Sequence, residues 1–343
     1  MSLPPVKPAI QAVKYLEGIT PKNIPTALLN SQEPIVLKGY CAHWPLVKAA
    51  RLSDVDAAQH LAKFDQGATF HTHHLPNTEQ GRVFYNQNMT GFNFESSQQK
   101  LPKILDDILH NAQSKNGKCV YVSATSLAQS LPGLLEQLEA LPDINMPLVN
   151  IWLGNASRIA AHYDFAQNFA CCVVGKRRFT LFPPEQLENL YVGPLDKAPG
   201  GQEISTVDVP NPDFAQHPKF ARALAAAQVA ELEAGDALIL PSMWWHHVQG
   251  LSGLNVLITH WWRDTPTKMG RPMNALLLAM MSVRDLPRHQ RDAWKNLFDH
   301  YVFEHRPEYF SHIPDAAKSI LASPMDDVSL KKLRADLQNK LRR

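Results

Sequence analysis

His162 and Asp164 stand one residue apart in the segment AAHYDFAQNF. On an extended strand, residues two apart project to the same face, so an imidazole and a carboxylate here can share one cation. A third donor has to come from another strand, and LILPSMWWHHVQG offers His246 and His247 shortly after Pro241. Two imidazoles and one carboxylate on one face of an octahedron leave three positions open, which is the donor set of non-haem Fe(II) oxygenases. Spacing alone chooses neither between His246 and His247 nor among Fe, Mn and Zn. A second histidine-rich segment, FHTHHLPN, holds His71, His73 and His74. It lacks a nearby carboxylate with a defined partner, so it reads as a lining of the site mouth rather than a metal centre.

These donors need strands to hold them, and the chain supplies them. From about Lys118 to Asp264 it breaks into short β-rich runs, among them KCVYVSA, PLVNIWLG, NFACCVVG, RRFTLF, DALILP and LNVLITHWW. Gly, Pro, Asn or Asp bounds each run, which is the pattern of a β-sandwich or barrel. Before them the chain is mixed: a strand within QEPIVLKG, a helix capped by Ser53, and a helix over LPKILDDILHNA (101–112) with apolar residues at helical spacing. A long connection from Pro183 to Ala234 interrupts the strands, with a helix expected near ARALAAAQVAEL. After Thr265 the pattern is helical, over 275–283, 288–303 and 328–343.

Composition narrows the function classes. The chain has 343 residues, 45% hydrophobic and 19% charged, with 34 basic against 32 acidic side chains. That is enough to bury a core, and a net charge of +2 argues against a mainly electrostatic nucleic-acid binder. No apolar run approaches the roughly 18–20 residues of a membrane span. The N-terminus lacks a signal-peptide layout, and the four cysteines show no CxxC spacing. A cytoplasmic compartment is the expectation.

The order HxD, then Asn, then GKRRFTLFPP, then GDALILPSMWWHHV resembles the cupin-like branch of the Jumonji C oxygenases. The similarity runs from about residue 30 to 305, with the nearest likeness to bacterial members and to the asparaginyl hydroxylase of that branch. The resemblance implies an α+β chain with a double-stranded β-helix core, Fe(II), and 2-oxoglutarate as cosubstrate. Residue by residue, it implies His162, Asp164 and His247 as metal ligands, leaving His246 to the other face. It also implies Tyr121 and Asn168 as cosubstrate contacts. Arg177 stands where the hydroxylase has a lysine for the distal carboxylate, and an arginine can hold a carboxylate bidentately. His260 stands for an asparagine, and Ile159 for a threonine three residues before the first ligand.

The expected activity is therefore hydroxylation of a protein side chain or another biomolecule, with decarboxylation of 2-oxoglutarate to succinate. The alternative from a different class is a non-catalytic cupin-like metal-binding sensor or scaffold, which the changes at Ile159, Arg177 and His260 keep open. Lysine demethylation and RNA hydroxylation are further readings within the family. Three regions are expected: 1–117 packing on the core, 118–264 as the catalytic core, and 265–343 as a helical region. The C-terminal apolar residues Leu276, Leu277, Met280, Met281, Trp294, Leu297 and Phe298 suggest a homodimer interface. The insertion from Leu190 to Pro218 is the candidate recognition loop, with Asp196, Gln202 and Asp208 as possible contacts. Trp244, Trp245 and Trp262 read first as core.

Overall fold

The computed structural model describes residues 10–114, 116–144, 147–263, 265 and 269–342. Two compact units divide the chain, Met1–Arg263 and Asp264–Arg343. The first is built on strands β1 (Gln11–Ala12), β2 (Lys14–Leu16), β3 (Ile35–Leu37), β4 (Thr69–Leu75) and β5 (Arg82–Val83). These are followed by β6 (Glu95–Lys100), β7 (Cys119–Ser126), β8 (Leu148–Gly154), β9 (Arg158–His162) and β10 (Gln167–Val174). The remainder are β11 (Lys176–Phe182), β12 (Gln228–Glu233), β13 (Ala237–Leu240), β14 (Trp245–Gly250) and β15 (Asn255–Trp262). They form a six-stranded sheet, β1-β12-β11-β14-β9-β5, and a nine-stranded sheet, β2-β3-β13-β10-β15-β8-β7-β4-β6. This is an α+β jelly-roll core. Residues before 118 do more than pack on it, because they supply β1 and β5 to the six-stranded sheet and β2, β3, β4 and β6 to the nine-stranded one.

Alternation assigns each side chain to one of two layers. On β10, Phe169 and Cys171 join Leu101, Ile104 and Ile108 of the helix Leu101–Ala112 in a core outside the nine-stranded sheet. Ala170 and Cys172 point the other way, into a second core between the sheets with Phe179, Leu181 and Leu257. The same rule corrects the helix expected over ARALAAAQVAEL. Its helix covers only Phe220–Ala225, and Gln228–Glu233 is β12, with Ala230 and Leu232 buried and Glu231 and Glu233 exposed. Alternation of buried and exposed residues marks a strand with one solvated face. Ser53 caps its helix as expected, its Oγ accepting from the Asp56 N–H at 3.0 Å.

Two turns position the interior. Gly175 makes the corner at which the chain leaves β10 in one sheet and enters β11 in the other. Its φ is +75°, and a Cβ there would lie 2.4 Å from the Leu254 carbonyl oxygen. The second turn, between β13 and β14, crosses over the loop that follows β9. The Met243 N–H donates to the Asp164 carbonyl at 2.9 Å, and Ser242 Oγ donates to the Phe165 carbonyl at 2.9 Å. Met243 is held there at φ +68°, a left-handed conformation that costs a side-chain-bearing residue about 1–2 kcal/mol.

The second unit contains the helices Pro272–Ser282, Arg288–Phe298 and Asp327–Leu341. Asp326 caps the last, accepting from the Val328 and Ser329 N–H groups. Leu276, Leu277, Met281, Trp294 and Leu297 are exposed. Among the described residues, no helix is long and apolar enough to cross a membrane.

Replacing Gly175 by Ala is expected to destabilise the protein by at least about 2 kcal/mol, since both the backbone conformation and the added methyl are unfavourable. Urea unfolding checks this, and an unchanged midpoint would show that the corner relaxes freely.

Candidate metal centre

His162 ends β9, and Asp164 follows it on the loop held by the β13–β14 turn. The third residue of the cluster is His246. One donor atom from each of His162, Asp164 and His246 lies within 4.8 Å of the others, as no other group of three does among the described residues. The His162 and His246 ring centroids are 4.2 Å apart, and His246 Nε2 is 3.6 Å from Asp164 Oδ2. Register explains the choice. His246 pairs directly with His162 across the β14–β9 ladder, and Val248 pairs with Ile159. Three steps on β9 therefore oppose two on β14, which marks a β-bulge. The bulge puts Ile159 and His162 on the same interior cavity as His246 and Val248.

His247, the ligand inferred from the resemblance, faces the other way and is corrected by this geometry. It is buried beside Arg158 and Arg82, and burial with these cations pushes it down to about 3. Spacing left His246 and His247 open because both faces of WWHHV are buried, so no polar alternation marks the interior side.

Both clustered histidines are oriented by backbone. His162 Nδ1 bonds the Ala160 carbonyl at 2.9 Å and His246 Nδ1 bonds the Trp244 carbonyl at 3.0 Å. A carbonyl only accepts, so each Nδ1 carries the proton and each Nε2 keeps its lone pair for a cation. Burial lowers His246 well below the usual histidine range and raises Asp164. A divalent cation would counter the penalty on Asp164 by favouring its ionised form. These donors therefore fit a divalent transition metal.

The same cavity holds Tyr121, Asn168 and Arg177. Arg177 is 4% exposed, and its Nε has no hydrogen-bond partner among the described residues. The Asn168 Oδ1 is likewise buried without a partner. A buried guanidinium without an acid beside it is costly, and an anion removes that cost. His260 is not part of this cavity. It faces the helix-covered side of β15, edge-on to Phe169 at 6.2 Å, and burial pushes it down to about 4. Thr259, one residue earlier and on the interior face, lines the cavity instead. Its Oγ1 accepts from Trp152 Nε1 at 3.0 Å.

A wider chamber of about 360 Å³ opens from the metal cluster. His71 and His73 line it, as expected, with Trp152, Trp261 and, from the insertion, Gln202. Asp208 instead pairs with Arg158 at 3.0 Å, and the Ser205 N–H donates to the Ala161 carbonyl at 2.7 Å. The insertion is thus stapled to the strand that carries His162. Trp244, Trp245 and Trp262 are core residues. The tryptophans of the chamber, Trp152 and Trp261, were not singled out by the sequence.

Comparison with known proteins is consistent with this architecture. The chain is 26% identical to lysine-specific demethylase 8 of Xenopus tropicalis over 243 residues, 68% of this chain and 49% of that protein. It is 32% identical to tRNA wybutosine-synthesizing protein 5 of Gallus gallus over 145 residues, 38% of this chain and 43% of that protein. It is 25% identical to JmjC domain-containing protein D of Dictyostelium discoideum over 241 residues, 64% of this chain and 49% of that protein. The chain spans about half the length of these relatives. The model of the cupin-like domain family matches residues 21–268, so the chain belongs to that family.

Proposed function

We propose that this chain is an Fe(II)- and 2-oxoglutarate-dependent oxygenase that hydroxylates a protein side chain or another biomolecule. The observation that carries the reading is the coincidence, in one cavity, of a three-donor cluster with a buried guanidinium that has no ion-pair partner among the described residues. His162, Asp164 and His246 would hold the metal through two imidazole nitrogens and a carboxylate, donors that suit Fe(II) and leave coordination positions open. Arg177 would bind the distal carboxylate of 2-oxoglutarate, with Asn168 and the Tyr121 hydroxyl as polar neighbours. When bound, iron and 2-oxoglutarate supply the oxidising chemistry, with succinate and CO₂ as by-products. The chain's own part is to fix the donors through the Ala160 and Trp244 carbonyls and to wall the site with Ile159, Val248 and Leu257, which keep bulk water away.

A protein side chain is preferred over nucleic acid because the net charge is only +2. The second reading, a metal-binding module without turnover, is favoured by Ile159, an apolar residue on the cavity wall in place of a hydrogen-bonding one. We also propose that two copies pair through the exposed apolar faces of the helices Pro272–Ser282 and Arg288–Phe298.

Anaerobic Fe(II) with 2-oxoglutarate should give a visible metal-to-ligand charge-transfer band, and admitting O₂ should give succinate. His162→Ala should abolish both; bound metal without band or succinate would favour the non-catalytic module. Metal content should fall for His162→Ala and His246→Ala and be retained by His247→Gln. Loss of metal in His247→Gln with retention in His246→Ala would overturn the assignment. Arg177→Met should weaken 2-oxoglutarate binding about 100-fold, the scale for removing one partner of a buried charge pair; calorimetry showing unchanged affinity would remove Arg177 from the site. A mass measurement at micromolar protein should find a dimer, and monomer alone would dismiss the pairing.

A further inference from the structure

The chamber above the metal cluster contains a conspicuous mixture of groups. Its polar side chains, apart from the ligands His162 and Asp164, are His71, His73, Tyr121, Ser123 and Gln202. Among the described residues that line it there is no lysine, arginine or glutamate, and its single carboxylate is that of Asp164. Glu203, the nearest acid in sequence on the insertion, accepts from the Tyr163 hydroxyl instead. His73 bonds Ser96 Oγ through Nδ1 at 2.8 Å and stacks on Tyr121. Burial pushes His73 down to about 4, so it is uncharged at neutral pH.

Charge bookkeeping extends to the loaded site. A divalent metal, the Asp164 carboxylate, a doubly charged cosubstrate and the Arg177 guanidinium sum to zero formal charge. A cationic group entering the chamber would therefore lose its water and find no unengaged counter-charge among the described residues that line it. Trp152 and Trp261 also line the chamber, and attraction of a cation to an aromatic ring offsets only part of what is lost in burying an unpaired charge.

We propose that the chamber selects an uncharged substrate group and discriminates against a cationic one such as a methylated ammonium. The inference rests on the oxygenase reading for the identity of the reacting group, yet it concerns the lining of this chain alone. It separates this chain's substrate from that named for the lysine-specific demethylase to which it is similar.

The test uses two probes of the same shape, choline and 3,3-dimethyl-1-butanol, which differ in a quaternary nitrogen against a quaternary carbon. Ligand-observed NMR titrations are made on the full chain loaded with Fe(II) and 2-oxoglutarate without O₂. The neutral probe should bind at least about tenfold more tightly. Gln202→Glu, which places a carboxylate in the chamber, should narrow or reverse the preference. Equal binding, tighter binding of choline, or no binding of the neutral probe would overturn the inference. The charge-transfer band is recorded on the same sample. A band with choline preferred sinks the charge inference alone, whereas no band with the neutral probe preferred sinks the oxygenase reading alone.

Discussion

A guanidinium buried between two sheets with no ion-pair partner among the described residues is the constraint around which this interior is arranged. Arg177 lies on β11, faces the second core, and is joined there by Asn168 from the other sheet. Left unpaired, such a charge costs several kcal/mol. Folds keep a cost of that size where an anionic ligand removes it. The metal donors lie in the same cavity, so the anion and the cation of the loaded site would offset each other's burial. Gly175 contributes to this, because its left-handed corner passes the chain from β10, with Asn168, to β11, with Arg177, in the facing sheet.

Positioning of the donors is distributed over backbone rather than side chains. His162 and His246 are each tied to a carbonyl two residues earlier in the chain. Asp164 has no strand beneath it, and its loop is held by the strained turn at Met243. Strain at such a position is tolerated only where surrounding bonds enforce it. The insertion adds a second brace, through Arg158–Asp208 and Ser205 to β9. The insertion and the strand that ends in His162 are thus braced together, and Gln202 is carried on the insertion to the chamber wall.

Much of this was legible from residues. The HxD pair, the short strands, the helix Leu101–Ala112 and the Ser53 cap all follow from local pattern, and the structure has them in place. Tyr121, Asn168 and Arg177, named from the resemblance as cosubstrate contacts, line one cavity. What local pattern lacked was information on faces. His246 and His247 are both buried, so their roles depend on the register with β9 and on a bulge that no short motif announces. The same holds for His260 and Thr259: adjacent residues on a strand buried on both sides are told apart only by which layer each faces. The strand at Gln228–Glu233 was hidden by an alanine-rich run whose helix propensity tertiary pairing overrides.

One cavity would hold both ions of the loaded site. The most direct measurement is a crystal structure grown anaerobically with Fe(II) and 2-oxoglutarate, with anomalous scattering recorded at the iron edge. The account predicts an iron peak bonded to His162 Nε2, Asp164 and His246 Nε2, with the distal carboxylate of 2-oxoglutarate on Arg177. An iron peak on His247, or a 2-oxoglutarate that leaves Arg177 untouched, would contradict it.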